Sequence, residues 1–575
     1  MSGSISNIIK KSYFRVLPVQ IISVLVAAIN TMIDSVITGR YIGTEGLAAI
    51  GLFVPVSTVL GIAYVITTGV QIVCGKAIGC GDKKRVASLF STAVVTLGAF
   101  AFAVSVSSNI FSKPLAAFLG AKGETVSLTA SYIAGYSYGI IGQVLSGILL
   151  FFLPLNNDKT RSYIGIGIMV ASNIALDILL VPVLGMGLWG MGFASSVSYL
   201  LSSAFMLFGF FDKKRTMYLD LKSLHLSVLP EAFMTGMPNL MFTVGCTAKS
   251  YIMNRCMMNA IGTDAVAVIN VQNSVCSFAG AVPMGCAAAF MTLAAISYGE
   301  EDRKGYLDTF RYAMKVGVFI SAGLMILIMA CSNLIPALFF TQGDPAWAIA
   351  RRMLLIFPSF LVCNTVLNLL LKCYQIQDEK SFVNIASVAE NLIIGLYSAL
   401  GVSVIGADAV WLAFPLAELT LLLVIAFIGI RKKSWLWLNS DFGASEDQKM
   451  EFSVKNMNEV IHISEKIIFF CGEKGMSSHD SKIAGLCIEE MAGNIVTHGF
   501  TDKKPHCIDI RTVIKNGDLT IRIRDDCVAF DPVERMNQFS PDDPCKNIGI
   551  RMIGMLTKDI SYYNTVGINT LLMKI

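Results

Sequence analysis

The sequence is short of charge. Only 15% of its 575 residues are Asp, Glu, Lys or Arg, whereas a soluble domain is nearer a quarter charged. The shortage is uneven, because residues 13–430 form a succession of apolar runs while residues 440–575 have an ordinary soluble composition. We therefore expect a polytopic membrane part followed by a tail domain of about 130 residues, a usual size for one domain.

The absence of several other sequence features excludes some classes of function. The 14 Cys residues show neither a CxxC pair nor a disulfide pattern, which argues against a cysteine metal site. The sequence lacks a G-x-x-x-x-G-K-[ST] phosphate loop, so we do not expect ATP hydrolysis of that kind to drive transport. The net charge of +5 is small, and we expect no nucleic-acid partner. The first apolar run, from near Tyr13, lacks a small-residue cleavage site and predicts a membrane span.

Twelve apolar runs are long enough to cross a bilayer, which takes about 20 residues. They lie near residues 14–38, 47–71, 87–111, 128–152, 162–184, 188–211, 229–256, 265–295, 308–331, 349–372, 382–404 and 409–430. Basic residues concentrate in alternate connections, among them "GDKKR" (81–85), "DKKR" (212–215) and "RKK" (431–433). By the positive-inside rule we expect a cytoplasmic-membrane protein with both termini, and hence the tail domain, in the cytoplasm.

An internal repeat divides the membrane part in two. "YIGTEGLAAIG" (41–51) returns as "AIGTDAVAVIN" (260–270), and "GCGDKKR" (79–85) returns as "SYGEEDRK" (297–304), a shift of about 219 residues. The repeat predicts two six-helix lobes, residues 1–220 and 221–435, related by an axis along the membrane normal. A linker (436–450) and the tail domain (451–575) complete the predicted organisation.

Four polar residues interrupt the apolar runs of the first lobe. Asn30 and Asp34 lie one turn apart in the first span, and Asn173 and Asp177 lie one turn apart in the fifth. A charged side chain at mid-bilayer costs about 2.5–3.5 kcal/mol, so these groups should face protein or water. Two neighbouring carboxyls tend to share a proton, which suits the coupling of protons to transport. The alternative is that the Asn side chains join helices and that Asp177 lies near a wet helix end.

The second lobe does not copy this pattern. At the repeat offset, Lys249 stands opposite Asn30 and Met253 opposite Asp34, so we expect coupling chemistry in the first lobe only. Lys249, Glu390 and Asn391 are predicted to line the substrate cavity of the second lobe. The role of Glu418, in the last span, is left open.

Three segments of the membrane part resemble the multidrug and toxin extrusion (MATE) family. They are "DSVITGRYIGTEGLAAIGLFVP" (34–55), "GCGDKKR" (79–85) and "SNIALDILLVPVLGMGLWGMGFASSVSYL" (172–200), and the resemblance covers residues 10–432. It implies twelve helices in two lobes around a central cavity, and the exchange of H⁺ or Na⁺ for small organic solutes such as drugs. The wider superfamily also contains flippases of lipid-linked oligosaccharides, which are the alternative for the cargo.

The resemblance also assigns residues. Asp34, Asn173 and Asp177 match first-lobe cation-site positions of the damage-inducible branch of the family, which is mostly proton-linked. Lys249 and Met253 depart from the acidic second-lobe site of the sodium-linked branch, which weakens a sodium mechanism without excluding it.

The tail sequence alternates between helix and strand patterns. "NEVIHISEKIIFFCGEKG" (458–475) and "SHDSKIAGLCIEEMAGNIVTHGF" (478–500) are amphipathic helices, and "IDIRTVIKNGDLTIRIRDD" (508–526) has the period-2 pattern of a hairpin. Helices on one face of a mostly antiparallel sheet make an α+β sandwich. The predicted fold is therefore an all-α membrane part with an α+β tail domain.

Polar residues of the tail have the chemistry of a nucleotide site. Glu490 is a candidate base for a hydroxyl or a water, and Asn494, one turn on, offers an amide oxygen to Mg²⁺. Asp525 ends a strand, where it can accept a hydrogen bond from an adenine amino group. Gly549 opens a helix whose N–H groups can face phosphate.

The order of these residues resembles the GHKL ATP-binding fold, most closely its anti-sigma-factor serine-kinase type. The resemblance implies ATP and Mg²⁺ as cofactors, Glu490 as catalytic base, Asn494 as Mg²⁺ ligand and His498 as the trailing residue of the same motif. It makes Asp525 the adenine-binding residue and Gly549 a lid glycine.

Two positions depart from the GHKL pattern. Cys527 and Asn547 replace expected glycines. The open alternatives are intact ATP binding, weakened binding, or a degenerate domain that only binds a protein.

Together these features predict an ion-coupled exporter with a cytoplasmic tail that regulates it or phosphorylates a cytoplasmic protein on Ser or Thr. Whether the chain is an enzyme is left undecided. The competing hypothesis is a solute-sensing membrane kinase in which the membrane part is a receptor.

Overall fold

A computed structural model describes residues 3–213, 215–260, 263–340, 343–434, 436–439, 442–500, 506, 508–515, 517–536 and 547–575. The first lobe contains α1 (Gly3–Tyr41), α2 (Thr44–Gly51), α3 (Val54–Gly79), α4 (Lys83–Ile110), α5 (Ser112–Phe118), α6 (Glu124–Ser137), α7 (Ile140–Phe152), α8 (Lys159–Ile178) and α9 (Gly187–Leu207). The second lobe contains α10 (Leu229–Ala260), α11 (Thr263–Ala279), α12 (Ala281–Gly299), α13 (Arg303–Ala330), α14 (Pro345–Ile356), α15 (Phe360–Ile376), α16 (Lys380–Ile405) and α17 (Asp408–Arg431).

The helices follow the predicted apolar runs. By length and composition, ten helices of the described residues can cross a membrane, or eleven if the bent pair α6 and α7 is one span. The remaining predicted run is occupied by α10, which is 32 residues long but contains Lys249 and Arg255. Both repeats fall at equivalent helix junctions, although residues 261 and 262 of the second copy lie outside the described residues.

Aspartate side chains fix the starts of three long helices. Asp82, Asp158 and Asp302 precede α4, α8 and α13, and each accepts a hydrogen bond from the backbone N–H three residues on. Such caps satisfy amide groups that have no partner inside the helix. All three helices start at the basic connections, so the sequence sets their boundaries at one side of the membrane part.

The two lobes meet at the end that carries the tail domain. A Cβ atom on Gly69 of α3 would lie 1.7 Å from the backbone oxygen of Ala232 in α10, so this close approach requires glycine. Nearby, Gln71 Nε2 donates a hydrogen bond of 2.9 Å to Thr292 Oγ1 of α12. The lobes are therefore packed backbone against backbone on the tail side.

The tail domain is the predicted α+β sandwich. Its antiparallel sheet has the strand order β1-β2-β3-β5-β4. The strands are β1 (Lys449–Val454), β2 (Ile508–Lys515), β3 (Asp518–Asp525), β4 (Asp559–Thr565) and β5 (Ile568–Lys574). The helices are α18 (Met457–Glu473), α19 (Ser478–Gly499), α20 (Pro532–Met536) and α21 (Ile548–Leu556). Ile510 of β2 pairs with Ile523 of β3, and both side chains are buried in the tail-domain core.

Two aromatic side chains of the predicted linker, residues 436–450, pack against the second lobe. Trp437 stacks on Tyr374 with ring centroids 4.1 Å apart, and Phe442 stacks on Tyr298 at 4.6 Å. Because aromatic stacking buries large apolar surfaces, these contacts attach the start of the tail to the second lobe.

Candidate functional site

Helices α1 and α8 bring the predicted coupling residues of the first lobe together. The carboxyl groups of Asp34 and Asp177 lie close enough for each to act electrostatically on the other. Asp177 is fully buried, and Asn30 and Asn173 are 8% and 2% exposed. Two i,i+4 pairs on facing helices therefore form one polar site inside the lobe.

Several oxygen atoms of this site accept no hydrogen bond. Asn30 Oδ1, Asp34 Oδ1, Asn173 Oδ1 and both carboxyl oxygens of Asp177 are buried without a hydrogen-bond partner. Buried acceptors are normally satisfied, and leaving one unsatisfied costs about 1–3 kcal/mol. A proton on the carboxyl pair, or a cation among these oxygens, relieves that cost.

Tyrosines surround the carboxyl pair. Tyr132 and Tyr136 of α6 and Tyr199 of α9 lie within electrostatic range of Asp34. The Tyr132 and Tyr136 rings are 5.8 Å apart, and the Tyr136 and Tyr199 rings are 6.5 Å apart. Sequence reasoning missed these residues, because tyrosines in apolar runs are common and the signal is only their convergence.

The backbone changes pitch next to Asp177. A π-helical turn, Leu179–Val183, follows α8 and contains Pro182. Such turns occur frequently at functional sites. The turn gives the helix that carries Asp177 a point where it can bend.

The second lobe contains another carboxyl pair. Asn364 Nδ2 of α15 donates hydrogen bonds to Glu418 Oε1 (2.7 Å) and Glu390 Oε1 (3.3 Å). Glu390 and Glu418 are 5% and 1% exposed. The charge of Lys249 acts on both carboxyls, while Asn391 accepts a hydrogen bond from Cys246 Sγ.

The sequence predicted coupling chemistry in the first lobe only, and this stays a prediction, while the structure adds that the second lobe also contains a buried carboxyl pair. Glu390 and Asn391 lie inside the lobe, and of the three predicted cavity residues only Lys249 is partly exposed. The sequence left the role of Glu418 open and missed Asn364, because the cluster joins α15, α16 and α17 and has no i,i+4 spacing along one helix.

The tail places Glu490 against Gly549. A Cβ atom on Gly549 would lie 1.9 Å from Glu490 Oε2, so any side chain at this position would push the Glu490 carboxyl group away from the start of α21. Asn494 is partly buried one turn along α19, and His498 is exposed on the next turn. The predicted base and the predicted lid glycine are therefore in contact, while His498 lies outside that contact.

Asp525 is the buried acid at the end of β3. It is 5% exposed, and its Oδ1 accepts hydrogen bonds from Asn569 Nδ2 (2.7 Å) and the Cys527 backbone N–H (2.9 Å). Burial raises the pKa of Asp525 above its usual value, although both hydrogen bonds oppose the shift. Sequence reasoning missed Asn569, which orients this carboxylate from β5.

The two departures from the glycine pattern have different structural outcomes. Asn547 adopts the left-handed conformation with φ 58°, which asparagine tolerates better than most residues. Cys527 is not among the described residues with positive φ, so the backbone there does not need glycine. Residues 537–546, the loop before Asn547, lie outside the described residues.

The face of the tail sheet opposite its helices contacts the membrane part. Arg522 of β3 pairs with Glu300 and with Asp302 (2.8 Å), and Arg524 pairs with Glu300. Burial opposes ionisation of Asp302, but Arg522, Arg511 and Arg524 outweigh it and hold the pKa of that carboxyl well below its usual range. This cluster, which we call the arginine clamp, joins the α12–α13 connection to the tail domain.

The same domain also contacts the first lobe. Lys11 of α1 pairs with Asp526 (2.7 Å), next to Asp525, and Arg15 Nη1 donates a hydrogen bond of 2.7 Å to the backbone oxygen of Gly567. The tail domain therefore bridges both lobes at the end where they meet.

Two helical lobes with polar sites among apolar helices, and an α+β domain across one end, define the class of polytopic membrane transporters with a soluble accessory domain. The MatE family model matches residues 20–179 and 240–400, and the chain belongs to this family. The model for the histidine kinase-like ATPase domain matches residues 453–575, the tail. The closer assignments, to the damage-inducible branch and to the anti-sigma-factor kinase type, stay predictions.

Curated relatives match the membrane part. The "Probable multidrug resistance protein YoeA" of Bacillus subtilis (strain 168) is 24% identical over 353 residues, which are 58% of this chain and 74% of the relative. The "Multidrug export protein MepA" of Staphylococcus aureus (strain MSSA476) is 24% identical over 331 residues, 56% of this chain and 72% of the relative.

Solved structures show the same fold. The "Crystal structure of MATE in complex with MaL6" has a TM-score of 0.68 at 22% identity and covers 74% of this chain and 97% of that one. The "Outward-facing conformation of a multidrug resistance MATE family transporter of the MOP superfamily" has a TM-score of 0.66 at 22% identity, with 74% and 96% covered.

Proposed function

We propose that this protein exports organic solutes across the cytoplasmic membrane in exchange for H⁺ or Na⁺, and that its tail domain regulates the exchange from the cytoplasm. The observation that carries the proposal is the Asp34–Asp177 pair, in which buried carboxyl oxygens accept no hydrogen bond. The names of the two relatives, which refer to multidrug resistance and export, support the cargo class.

The exchange follows from the charge of the site. With the ion bound, the pair carries less negative charge and can stay inside the lobe; with the ion released, it must be solvated or neutralised. Asp34 is partly exposed and Asp177 fully buried, so Asp34 is the side from which an ion enters. A membrane potential adds about 2.3 kcal/mol per charge per 100 mV, which can drive the cycle in one direction.

The tail residues fit ATP and Mg²⁺. Asp525 would accept a hydrogen bond from the adenine amino group, and Asn494 would bind Mg²⁺. The amides at the start of α21, where Glu490 Oε2 lies against Gly549, would face the phosphates. Bound ATP would supply a phosphoryl group, and Glu490 would accept a proton from a hydroxyl. The basic connections lie on the tail side, which supports a cytoplasmic location.

Regulation is supported by the position of the tail domain. An exchange between two sides of a membrane requires the lobes to move against each other. A domain that holds α1 through Lys11 and the α12–α13 connection through Asp302 restrains that movement. Nucleotide at a site next to these contacts can strengthen or weaken the restraint.

The test is transport by the full-length protein in proteoliposomes, with tetraphenylphosphonium as the organic probe. Imposed pH and sodium gradients are compared for the wild type, Asp34→Asn with Asp177→Asn, and Glu124→Gln, an exposed acid at the start of α6. We expect the double variant to lose gradient-driven flux at least about tenfold, because the first-lobe site then has no carboxyl group to exchange an ion, while the control retains it. Equal flux in all three proteins would refute the proposal.

A second candidate function is favoured by the contact between Lys11 and Asp526, which joins α1 to the nucleotide site. In this alternative the membrane part senses solute and the tail is an active kinase. This alternative is supported if the double Asp→Asn variant keeps solute-dependent phosphoryl transfer and the wild type transports no probe.

A further inference from the structure

We propose that the tail domain has a site for a transition-metal ion with the ligand preference of Zn²⁺, formed by His506, Asp526 and Cys527. These side chains offer a ring nitrogen, a carboxylate oxygen and a thiol sulfur, and the three ligand atoms all lie within 4.8 Å of one another. The site goes beyond the proposed transport function and does not depend on it.

The three residues are distant in the sequence and meet at one end of the tail sheet. Ile508 at the start of β2 pairs with Asp525 at the end of β3. His506 therefore precedes β2 at the place where Asp526 and Cys527 follow β3. Because the ligands come from two strands, they leave no CxxC signature, and the cysteine spacing alone argued against a metal site.

Neighbouring groups hold the ligands in place. The His506 ring stacks on Phe500 with centroids 5.6 Å apart, and its Nδ1 lies 3.1 Å from Asp526 Oδ1. A Cβ atom on Gly499 would lie 3.1 Å from Cys527 Sγ, so the thiol faces the end of α19. The side chains of His506 and Asp526 are each 7% exposed. Ligands that are already restrained lose little entropy when a metal ion binds.

The donor set selects the kind of metal. Zn²⁺ in proteins is bound by thiolate, imidazole and carboxylate, whereas Mg²⁺ prefers oxygen ligands alone. The site is therefore distinct in its chemistry from the Mg²⁺ expected with ATP. Metal–ligand bonds of about 2.0–2.3 Å place tetrahedral ligand atoms roughly 3.3–3.5 Å apart. Side-chain movements of roughly 1 Å would close the site, and water would take the fourth position.

The charges of the site fit a divalent cation. The carboxylate of Asp526 and the thiolate of Cys527 supply two negative charges, and the imidazole of His506 is a neutral ligand. A metal ion would take the place of the proton between His506 and Asp526. The competing cation is Lys11 of α1, whose ammonium lies 2.7 Å from Asp526 Oδ2. Metal binding therefore opposes this contact between α1 and the tail domain.

The site gives a role to Cys527, which stands where the ATP-binding pattern has glycine. Cys527 is not among the described residues with positive φ, so it occupies this position without strain. Its backbone N–H donates a hydrogen bond to Asp525, the predicted adenine acceptor. A metal ion on the thiol would thus be attached to the nucleotide site through one residue.

The test uses Co²⁺, which occupies zinc sites and absorbs in the near ultraviolet when a thiolate binds it. Purified full-length protein with no polyhistidine tag is titrated with CoCl₂ without nucleotide, and ZnCl₂ is then added. We expect about one thiolate-bound Co²⁺ per chain, displaced by Zn²⁺. Cys527→Ser should lose the band, and His506→Gln should weaken binding at least about tenfold.

Two matched variants are the controls. Cys331→Ser removes another partly buried cysteine, and His462→Gln removes another histidine of the tail, which is 66% exposed. Both should bind Co²⁺ like the wild type. The inference is overturned if the wild type shows no saturable band, or if the band persists in Cys527→Ser.

Lys11→Met provides a second measurement, because it keeps all three ligands and removes the competing cation. A half-exposed ion pair is weak, so we expect Co²⁺ to bind only about threefold more tightly. Lys10→Met, which removes the same charge one residue away, should leave the affinity unchanged. Equal affinities in the two lysine variants would mean that Asp526 is not a ligand, and the proposed site would be wrong.

Discussion

Replacing Arg522 by Met tests how the tail domain is held to the lobes. The Arg522 side chain is 6% exposed and contacts the carboxylates of Glu300 and Asp302, which are each 2% exposed. Methionine keeps much of the volume but removes the charge. Two buried carboxylates are then left with Arg511 and Arg524 as their nearby cations, and the docked position of the tail domain becomes less stable.

The size of the effect follows from burial. Breaking a buried ion pair costs about 3–5 kcal/mol, and the remaining arginines place this substitution at the lower end, about 3 kcal/mol. That is a change of roughly 150-fold in the docking equilibrium. Lys515 and Glu301 form the matched control, because this pair lies at the same interface but is 43% and 54% exposed. Lys515→Met should cost no more than about 1 kcal/mol.

Hydrogen exchange followed by mass spectrometry reads the docking directly. Amides of residues 299–303 should exchange faster in Arg522→Met and stay close to wild type in Lys515→Met, whereas amides of β3, which are paired with β2 and β5, should not change. A double-mutant cycle with Asp302→Asn separates the pair energy from general destabilisation, because the two changes should not add. If the amides of residues 299–303 exchange no faster in Arg522→Met than in Lys515→Met, the arginine clamp does not hold the tail domain on the lobes.

Three other outcomes are expected. Gly549→Ala should weaken binding of a fluorescent ATP analogue at least about tenfold, because its Cβ would lie 1.9 Å from Glu490 Oε2; Gly472→Ala, with open space around it, should bind normally. Asp525→Ala should lose preference for ATP over GTP in competition binding, since the side-chain acceptor for the adenine amino group is gone, and unchanged preference would contradict its role. In the docked state, the pKa of Asp302 is lower than its usual value. Docking is therefore favoured at pH values above the usual pKa range of a carboxyl group, and it weakens as the pH falls below that range. Hydrogen exchange should find docking constant from about pH 5 to 8, and a loss within that window would contradict the arginine clamp.

The sequence predicts the parts of this protein that have a local signature. Apolar runs fixed the spans, and the i,i+4 spacing of Asn30 with Asp34 and of Asn173 with Asp177 indicated one face on each helix. Because α1 packs against α8, the two faces meet as expected. The Glu390–Glu418 pair has no such signature, since its members depend on how α15, α16 and α17 pack.

The arginine clamp was missed for a different reason. In β3, Arg522 and Arg524 alternate with Ile521 and Ile523, a pattern typical of a strand with one solvated face. Nothing in that pattern says that the polar face is covered. The acidic partners lie in the loop at Glu300 and Asp302, more than 200 residues away, and only the tertiary structure relates the two segments.

Helix α1 relates the tail domain to the ion site. It runs unbroken over 39 residues, and its start contacts the tail through Lys11 while Asp34 lies roughly 35 Å further along. If nucleotide at Asp525 changes the docking of Asp526 on Lys11, it changes the freedom of the helix that carries Asp34. Linkage then requires the reverse effect: occupancy of the ion site must alter nucleotide affinity by the same factor by which nucleotide alters ion affinity. An exporter with a regulated tail and a receptor with an active kinase would therefore use the same coupling through α1. They differ only in which part responds, the membrane part in the exporter and the tail domain in the receptor.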